Sequence, residues 1–369
     1  MQVVICGGGV IGAATAYFLS LRGIKTIVVE RSAIACAASG KSGGFLALDW
    51  CDGTPLQALA RRSFELHAEL AETLDADWGY RRLTTYGGLA SARDIGPRRV
   101  DRAFRLAWLS DAVNLTQRLG GLDTTAQVNP GPFAAALMQA AQARGAELRL
   151  GTVSGLVQEA AAITGVLVDG EVIAADAVVI AMGPWSLLAA QWLPLPPVFG
   201  LKGHSLIFDT GGSVPPESLF LEYQEDNGEA QSPEVFPRAD GTTYVCAISS
   251  ESPLPLDPAD VAPDPGAIER LEDMCRRLSP ILAKAKILAR QACFRPVTRD
   301  GLPLLGPVPG HRGAYVATGH SVWGILNAPA SGEAMAELIA DGAARHLDLA
   351  AFDPGRMARF DPKRLRTHA

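Results

Sequence analysis

"VVICGGGVIGAATAYFLSLRG", residues 3–23, decides how the rest of the chain is read. Val3 to Cys6 is a short β-branched run, Gly7, Gly9 and Gly12 follow as G-x-G-x-x-G, and the segment beyond has helical spacing up to Gly23. "KTIVVE" (25–30) then adds a buried strand. Strand, tight turn, helix, strand is the opening of a parallel doubly wound sheet. In that frame Gly7 permits the turn, Gly9 lets backbone approach a pyrophosphate, and Gly12 lets helix pack close to strand. The helix N-terminus favours the anion. Glu30, closing the second strand, is placed to accept ribose hydroxyls. The bland alternative is a glycine loop that serves helix packing only.

Working outward, "GPFAAALMQAAQARGAELRL" (131–150) predicts an amphipathic helix stopped by Gly145 and then a strand, and "DAVVIAMGPWS" (176–186) another apolar strand entering a glycine turn. "AYVATG" (314–319) brings the same texture back late in the chain, so the nucleotide domain is expected to be discontinuous. Residues 54–78 read as a helix with Thr54 as N-cap and Pro55 as its first residue, and helix is expected again over 99–119. From 195 to 290 the strands alternate and are interrupted by polar residues. "EVFPRADGTTYVCAIS" (234–249) predicts an antiparallel hairpin turning at Asp240-Gly241, and "SPLPLDPADVAPDPG" (252–266) a surface connector. The fold class is therefore α/β, a Rossmann-like nucleotide domain with a parallel sheet plus a substrate domain with a mainly antiparallel sheet. The boundaries expected are 1–85, 125–190 and 292–369 for the first and 86–124 and 191–291 for the second.

Composition narrows the functional classes. With 369 residues and a hydrophobic fraction of 48%, the chain buries a sizeable core in two domains. A net charge of −6 offers no basic footprint for nucleic acid or an anionic membrane. The six cysteines are scattered, without CxxC or metal-ligand spacing, and read as reduced thiols with no metal. No apolar run spans a bilayer and no leader pattern opens the chain, so the expectation is a cytoplasmic protein.

The fingerprint alone does not separate FAD from NAD. "ASGKSGGFLAL" (38–48) adds hydroxyls and glycine N–H groups suited to a second phosphate or a flavin ring; otherwise it is a flexible loop. The blocks "VVICGGGVIGAATAYFLSLRG", "TIVVE", "SGKSGGFLA", "VNPGPFAAALMQAAQARGAEL", "ADAVVIAMGPWS", "RPVTRDGLPLLGP" and "ATGHSVWGILNAPASGEAMAELI", in that order, resemble the D-amino acid oxidase superfamily of FAD-dependent oxidoreductases, which includes glycine and sarcosine oxidases. The resemblance spans nearly the whole chain and is closest to a poorly characterised branch. It implies FAD contacts from Gly7, Gly9, Val10, Ile11 and Gly12, from Glu30 and Arg31, from Ser39, Lys41, Ser42, Gly43, Gly44 and Phe45, and from Val153 at the adenine. Gly183 and Trp185 follow, and Gly319, His320, Val322, Trp323, Gly324, Ile325 and Leu326 are expected along the isoalloxazine, with Pro329 opening a helix aimed at it.

The implied activity is oxidation of the C–N bond of an amine or amino acid by hydride transfer to the flavin, the imine then being hydrolysed and the electrons passed to oxygen or another carrier. Arg295 matches an arginine that pairs with a substrate carboxylate; the alternative is a brace to Asp300. Trp323 is a pocket wall or a flavin cover, and His320 a ligand of flavin or substrate or a structural histidine. Lys202 and His204 either face the pocket, where a cation would favour oxygen reduction, or end a strand. Val322 and Trp323 make apolar a stretch that is often polar in glycine oxidases, so a bulkier amine is as well supported as glycine. Sarcosine oxidase-like members bind flavin covalently through a cysteine near Arg295; Cys293 does not match that position, so FAD is expected to be non-covalent. Two other classes stay open: an NAD-dependent dehydrogenase, supported by the first thirty residues only, and a non-catalytic or redox-sensing flavoprotein.

Overall fold

A computed structural model of the chain describes residues 1–92 and 104–366. Six strands form the first sheet, in the order Leu304–Pro307, Ala314–Thr318, Ala177–Ile180, Gln2–Cys6, Lys25–Glu30, Glu147–Leu150. All neighbours are parallel except the first pair. Its central strands are apolar on both faces because helices cover one side and a small antiparallel sheet, Val153–Glu159 with Ala162–Val168 and Glu171–Ala174, the other. Helix α1 (Val10–Leu21) carries Ala13, Ala14 and Ala16 at no exposure, and ends before Gly23, whose φ of +67° lets the chain turn into the next strand.

Helix α2 is Gln57–Thr73, so the expected start is corrected. Thr54 does not cap it; its hydroxyl accepts from Leu56 N (3.2 Å) in a turn preceding the helix, and Pro55 lies in that turn. Helix α3 (Pro130–Gln142) stops before Gly145, φ +96°, as its sequence predicts. The helix expected over 99–119 is also corrected. Val113–Gly120 is a strand; Val113 and Leu115 alternate into the core and pair antiparallel with Thr84–Ser91, so packing overrides the local helical spacing. Residues 99–103 of that expectation lie outside the described residues.

The second large sheet has eight strands. Its main path runs Lys286–Val297, Phe199–Asp209, Thr242–Ser250, Glu234–Pro237, Glu217–Gln224, Thr84–Ser91, Val113–Gly120, and all pairs are antiparallel except Glu217–Gln224 with Thr84–Ser91. The hairpin turns where expected, at Asp240 and Gly241 (φ +84°). Helix α4 (Ala267–Leu278) and the short α5 (Pro280–Lys284) cover the outer face. One irregularity bears on the site: Gly203 pairs with Ser249 but His204 with Ala247, so Ile248 is an extra residue, bulged out at φ +57°.

The last helix, α6 (Gly324–Asp341), follows a single 3₁₀ turn over Ser321–Trp323. Pro329 therefore does not start it; it is the sixth residue. A proline there has no N–H for the carbonyl of Ile325. His67 Nε2 of α2 supplies the missing donor, 3.0 Å from Ile325 O and 3.2 Å from Leu326 O, while Ala330 N donates to Ser63 Oγ at 2.9 Å. Two rerouted hydrogen bonds thus bolt α6 to α2. No described helix is long and apolar enough to cross a membrane.

Candidate functional site

Two adjoining cavities run from the first sheet to the second and share Gly9, Ala38, Ser39, Ala181 and Gly183. The first is built on the opening turn. Gly7 has φ +112°, and a Cβ there, or on Gly12, would collide with a backbone carbonyl. Gly12 itself lines neither cavity; it seats α1 on the turn. Glu30 takes Gly8 N on one oxygen (2.7 Å) and Ser32 N on the other (3.0 Å), and its side chain borders the cavity with Arg31, Val153, Gly183 and Trp185. Ser39 Oγ accepts Val10 N at 2.9 Å, fixing the 39–45 loop to the first turn of α1, whose N–H groups have no intrahelical partners.

The connector predicted as plain surface closes this cavity. Pro255 O accepts Trp185 Nε1 (2.8 Å), Leu256 O accepts Arg31 Nη1 (2.7 Å), and Pro258 lines the wall. Its far end is tied down by Asp264, which receives Lys202 Nζ at 2.6 Å and Ser252 Oγ at 2.8 Å. Burial opposes ionisation of Asp264, but the hydrogen bonds from Lys202, Ser250 and Ser252 overcome it and hold the carboxyl down at about 2. Lys202 is consumed by this pair and borders neither cavity. His204 donates from Nδ1 to Ile248 O (2.7 Å) and accepts Asp264 N on Nε2 (3.0 Å), so it links the connector to the bulge.

The second cavity lies between Val10, Ile11, the Lys41–Gly43 loop, the Gly319–Val322 turn with Gly324 and Ile325, and the antiparallel sheet. His320 is 3% exposed and bonds Ser331 Oγ through Nε2 (3.0 Å), leaving Nδ1 without a protein partner. Burial pushes it down to about 3, so the ring is neutral. Ser321 holds φ +50°, a strained value for a residue with a Cβ. Arg295 projects from the Lys286–Val297 strand over Gly203, with Nη1 donating to Ser249 Oγ at 3.1 Å. Asp300 is taken by Arg356 (2.7 and 3.1 Å), and among the described residues no carboxylate is within ion-pair reach of Arg295. Cys293, on the same wall, has its thiol pushed up to about 11 by burial.

Trp323 borders neither cavity and packs edge-on against Trp50, centroids 6.4 Å apart. Phe45 and Gly44 likewise stand behind the wall, Phe45 stacked on Phe236, and Leu326 is 1% exposed in the helix core. Sequence reasoning missed Glu234, Tyr244 and Cys246, all on the cavity wall. The turn at Asp240-Gly241 pairs Glu234 with Cys246, and a carboxylate opening an otherwise apolar strand was the available signal.

The donor set fits FAD: a glycine cradle and helix N-terminus for the pyrophosphate, a carboxylate for the ribose, and a largely apolar cavity bordered by a second helix N-terminus and an unpartnered buried imidazole nitrogen for the ring. Comparison with known proteins agrees. A putative oxidoreductase of Schizosaccharomyces pombe is 30% identical over 382 residues, 96% of this chain and 97% of its own. Glycine oxidase of Pseudomonas putida is 31% identical, covering 96% and 99%. The crystal structure of glycine oxidase from Geobacillus kaustophilus superposes with a TM-score of 0.79 at 26% identity, over 96% of this chain and 99% of that one. The family model "DAO: FAD dependent oxidoreductase" matches residues 2–338. The chain belongs to this family of FAD-dependent oxidoreductases.

Proposed function

We propose that the protein oxidises the C–N bond of an amine bearing a carboxylate, an amino acid or a close relative, to an imine that water hydrolyses. The observation that carries this reading is Arg295, a guanidinium facing the ring cavity with a serine hydroxyl and no acid as partner among the described residues. With no described carboxylate in contact, the guanidinium keeps its fork free for a substrate carboxylate, the anion whose shape matches it. When bound, FAD supplies the two-electron acceptor for the hydride leaving the carbon beside nitrogen. The chain positions that carbon: Arg295 anchors the carboxylate, while Tyr244, Phe294, Val322 and Ile325 give apolar walls that keep water out. The buried Cys293 thiol is a poor nucleophile, which supports non-covalent FAD.

Electrons then pass to oxygen or to another acceptor. Lys41 Nζ, 3.4 Å from Ala292 O on the cavity wall, is the cation that would face oxygen, since Lys202 is held by Asp264. The test is anaerobic mixing of the yellow protein with amines, amino acids and 2-hydroxy acids. Bleaching by amino acids and by no amine lacking the carboxylate is the expected result, and air is then admitted to assay peroxide. Failure of every carboxylated amine to bleach the flavin would sink the proposal and favour a sensing role.

A further inference from the structure

The cavity that holds Arg295 also holds an acid with almost nothing to bind. Glu234 borders it on the Glu234–Pro237 strand, and among the described residues the donor to its carboxyl is a thiol, Cys246 Sγ, 3.4 Å from Oε2. A thiol is a weak donor, so the carboxylate is under-satisfied on a face that opens on the substrate. The groups facing it are few. Cys246 and Tyr244 look at it from the Thr242–Ser250 strand and Arg295 from the Lys286–Val297 strand; Phe220, paired opposite it on the other side, does not titrate.

The sheet sets the separation. Arg295 and Glu234 are three strands apart, about 14 Å across the sheet at the usual spacing, and out of register along it, since Arg295 pairs with Leu201 whereas Glu234 is level with Ser205 through Cys246. The guanidinium reaches back across part of this, lying over Gly203 and bonding Ser249. Both groups border one cavity and Arg295 acts electrostatically on Glu234, so an α-amino acid bound between them would offer its carboxylate to one and its nitrogen to the other, each at a hydrogen-bond distance of about 2.9 Å.

We propose that Glu234 is the amine-side partner of Arg295: it holds the substrate's ammonium group and removes its proton. This rests on the carboxylate reading of Arg295 above. Amino acids arrive at neutral pH mainly as zwitterions, and an ammonium nitrogen has no electron pair to form the C=N bond. In the step assigned to Glu234 an N–H bond breaks and an O–H bond forms on the carboxylate. The nitrogen keeps the electron pair and the carboxylate becomes the neutral acid, which later returns the proton to water. Burial raises the proton affinity of Glu234 and Arg295 opposes the rise, which makes its carboxylate a stronger base than an exposed glutamate.

Two measurements on the FAD-loaded protein test this. The first uses trimethylglycine and 3,3-dimethylbutanoate, equal in shape and carboxylate but with nitrogen cation replaced by carbon, titrated against the flavin absorbance. The wild type is expected to prefer trimethylglycine by about tenfold or more, and Glu234→Gln to lose that preference while keeping its FAD and its affinity for 3,3-dimethylbutanoate. The second is the pH profile of anaerobic flavin reduction by a primary amino acid. The wild-type rate levels off near neutrality, whereas the rate of Glu234→Gln keeps rising toward the pKa of the free amine and lies about 10²- to 10⁴-fold lower at pH 7. Equal binding of the two acids by the wild type, or an unchanged pH profile in Glu234→Gln, overturns the role of Glu234 alone. If neither acid perturbs the flavin, the carboxylate reading of Arg295 falls, and this inference with it.

Discussion

At the scale of single residues the site divides into groups whose task is written locally and groups whose task depends on neighbours. Gly7, Gly12 and Glu30 are of the first kind: turn geometry and the strand end dictate them, and each stands where the spacing places it. Adding one methyl group at Gly12 drives Cβ into the Gly7 carbonyl, so Gly12→Ala is expected to purify colourless, measured as flavin released on denaturation. Arg295 is of the second kind, its partner set by a residue 46 positions away. Replacing it by Met should raise KM for a carboxylated amine on the order of 10²-fold or more while leaving FAD content and the rate with saturating substrate much less affected, as removal of one half of a desolvated ion pair costs about 2–5 kcal/mol. Lys202 and Trp323 show why candidates drawn from one strand or one turn go astray. Which way they point depends on Asp264 and Trp50, remote in sequence and carrying no motif.

At the scale of elements, periodicity located the strands and helices of the nucleotide half, because their apolar faces repeat over many residues. It failed where packing overrode it, at Val113–Gly120, and at the start of α6, where proline rules favour position one. Pro329 sits deeper because α2 supplies the hydrogen bonds that it forfeits. That bolt carries a pH signature. His67 Nε2 must keep its proton for two carbonyls and Nδ1 is buried without a partner, so burial pushes the ring down to about 4. Its folded pKa is thus below the unfolded value near 6.5, and the unfolded state binds more protons between the two. The contribution is fully present above pH 6.5 and is lost as pH falls through 4, on the order of 3 kcal/mol in all. His320, down to about 3, adds in the same direction. With FAD in excess, the unfolding temperature of the wild type is expected to fall from pH 7 to 5. In His67→Leu it starts lower, by an amount matching about 1–3 kcal/mol for two carbonyls left dry, and falls less steeply. Parallel slopes in the two proteins would refute the assignment.

At the scale of the whole molecule, the parallel sheet carries the first cavity, the antiparallel sheet walls the second, and the connector 252–266 closes over the first. Its role was not legible, since proline-rich composition says only that a segment leaves the regular lattice. Because the connector roofs the first cavity and is held by Asp264, which borders neither of the two cavities, Asp264→Ala should weaken FAD binding by about tenfold at a distance, read by titration of the apoprotein. Unchanged affinity would show the roof to be idle.

The bulge at Ile248 has a consequence for how this hairpin can vary. In a regular ladder Ile248 would stand opposite Gly203, and an alkyl group rather than the Ser249 hydroxyl would meet the guanidinium. Added chain length, more than residue identity, is therefore what diversification must avoid here. Losing Ile248 straightens the strand and keeps the hydroxyl opposite Gly203, while gaining one residue turns it to the far face. Deletions at this point should preserve carboxylate binding, and insertions should abolish it.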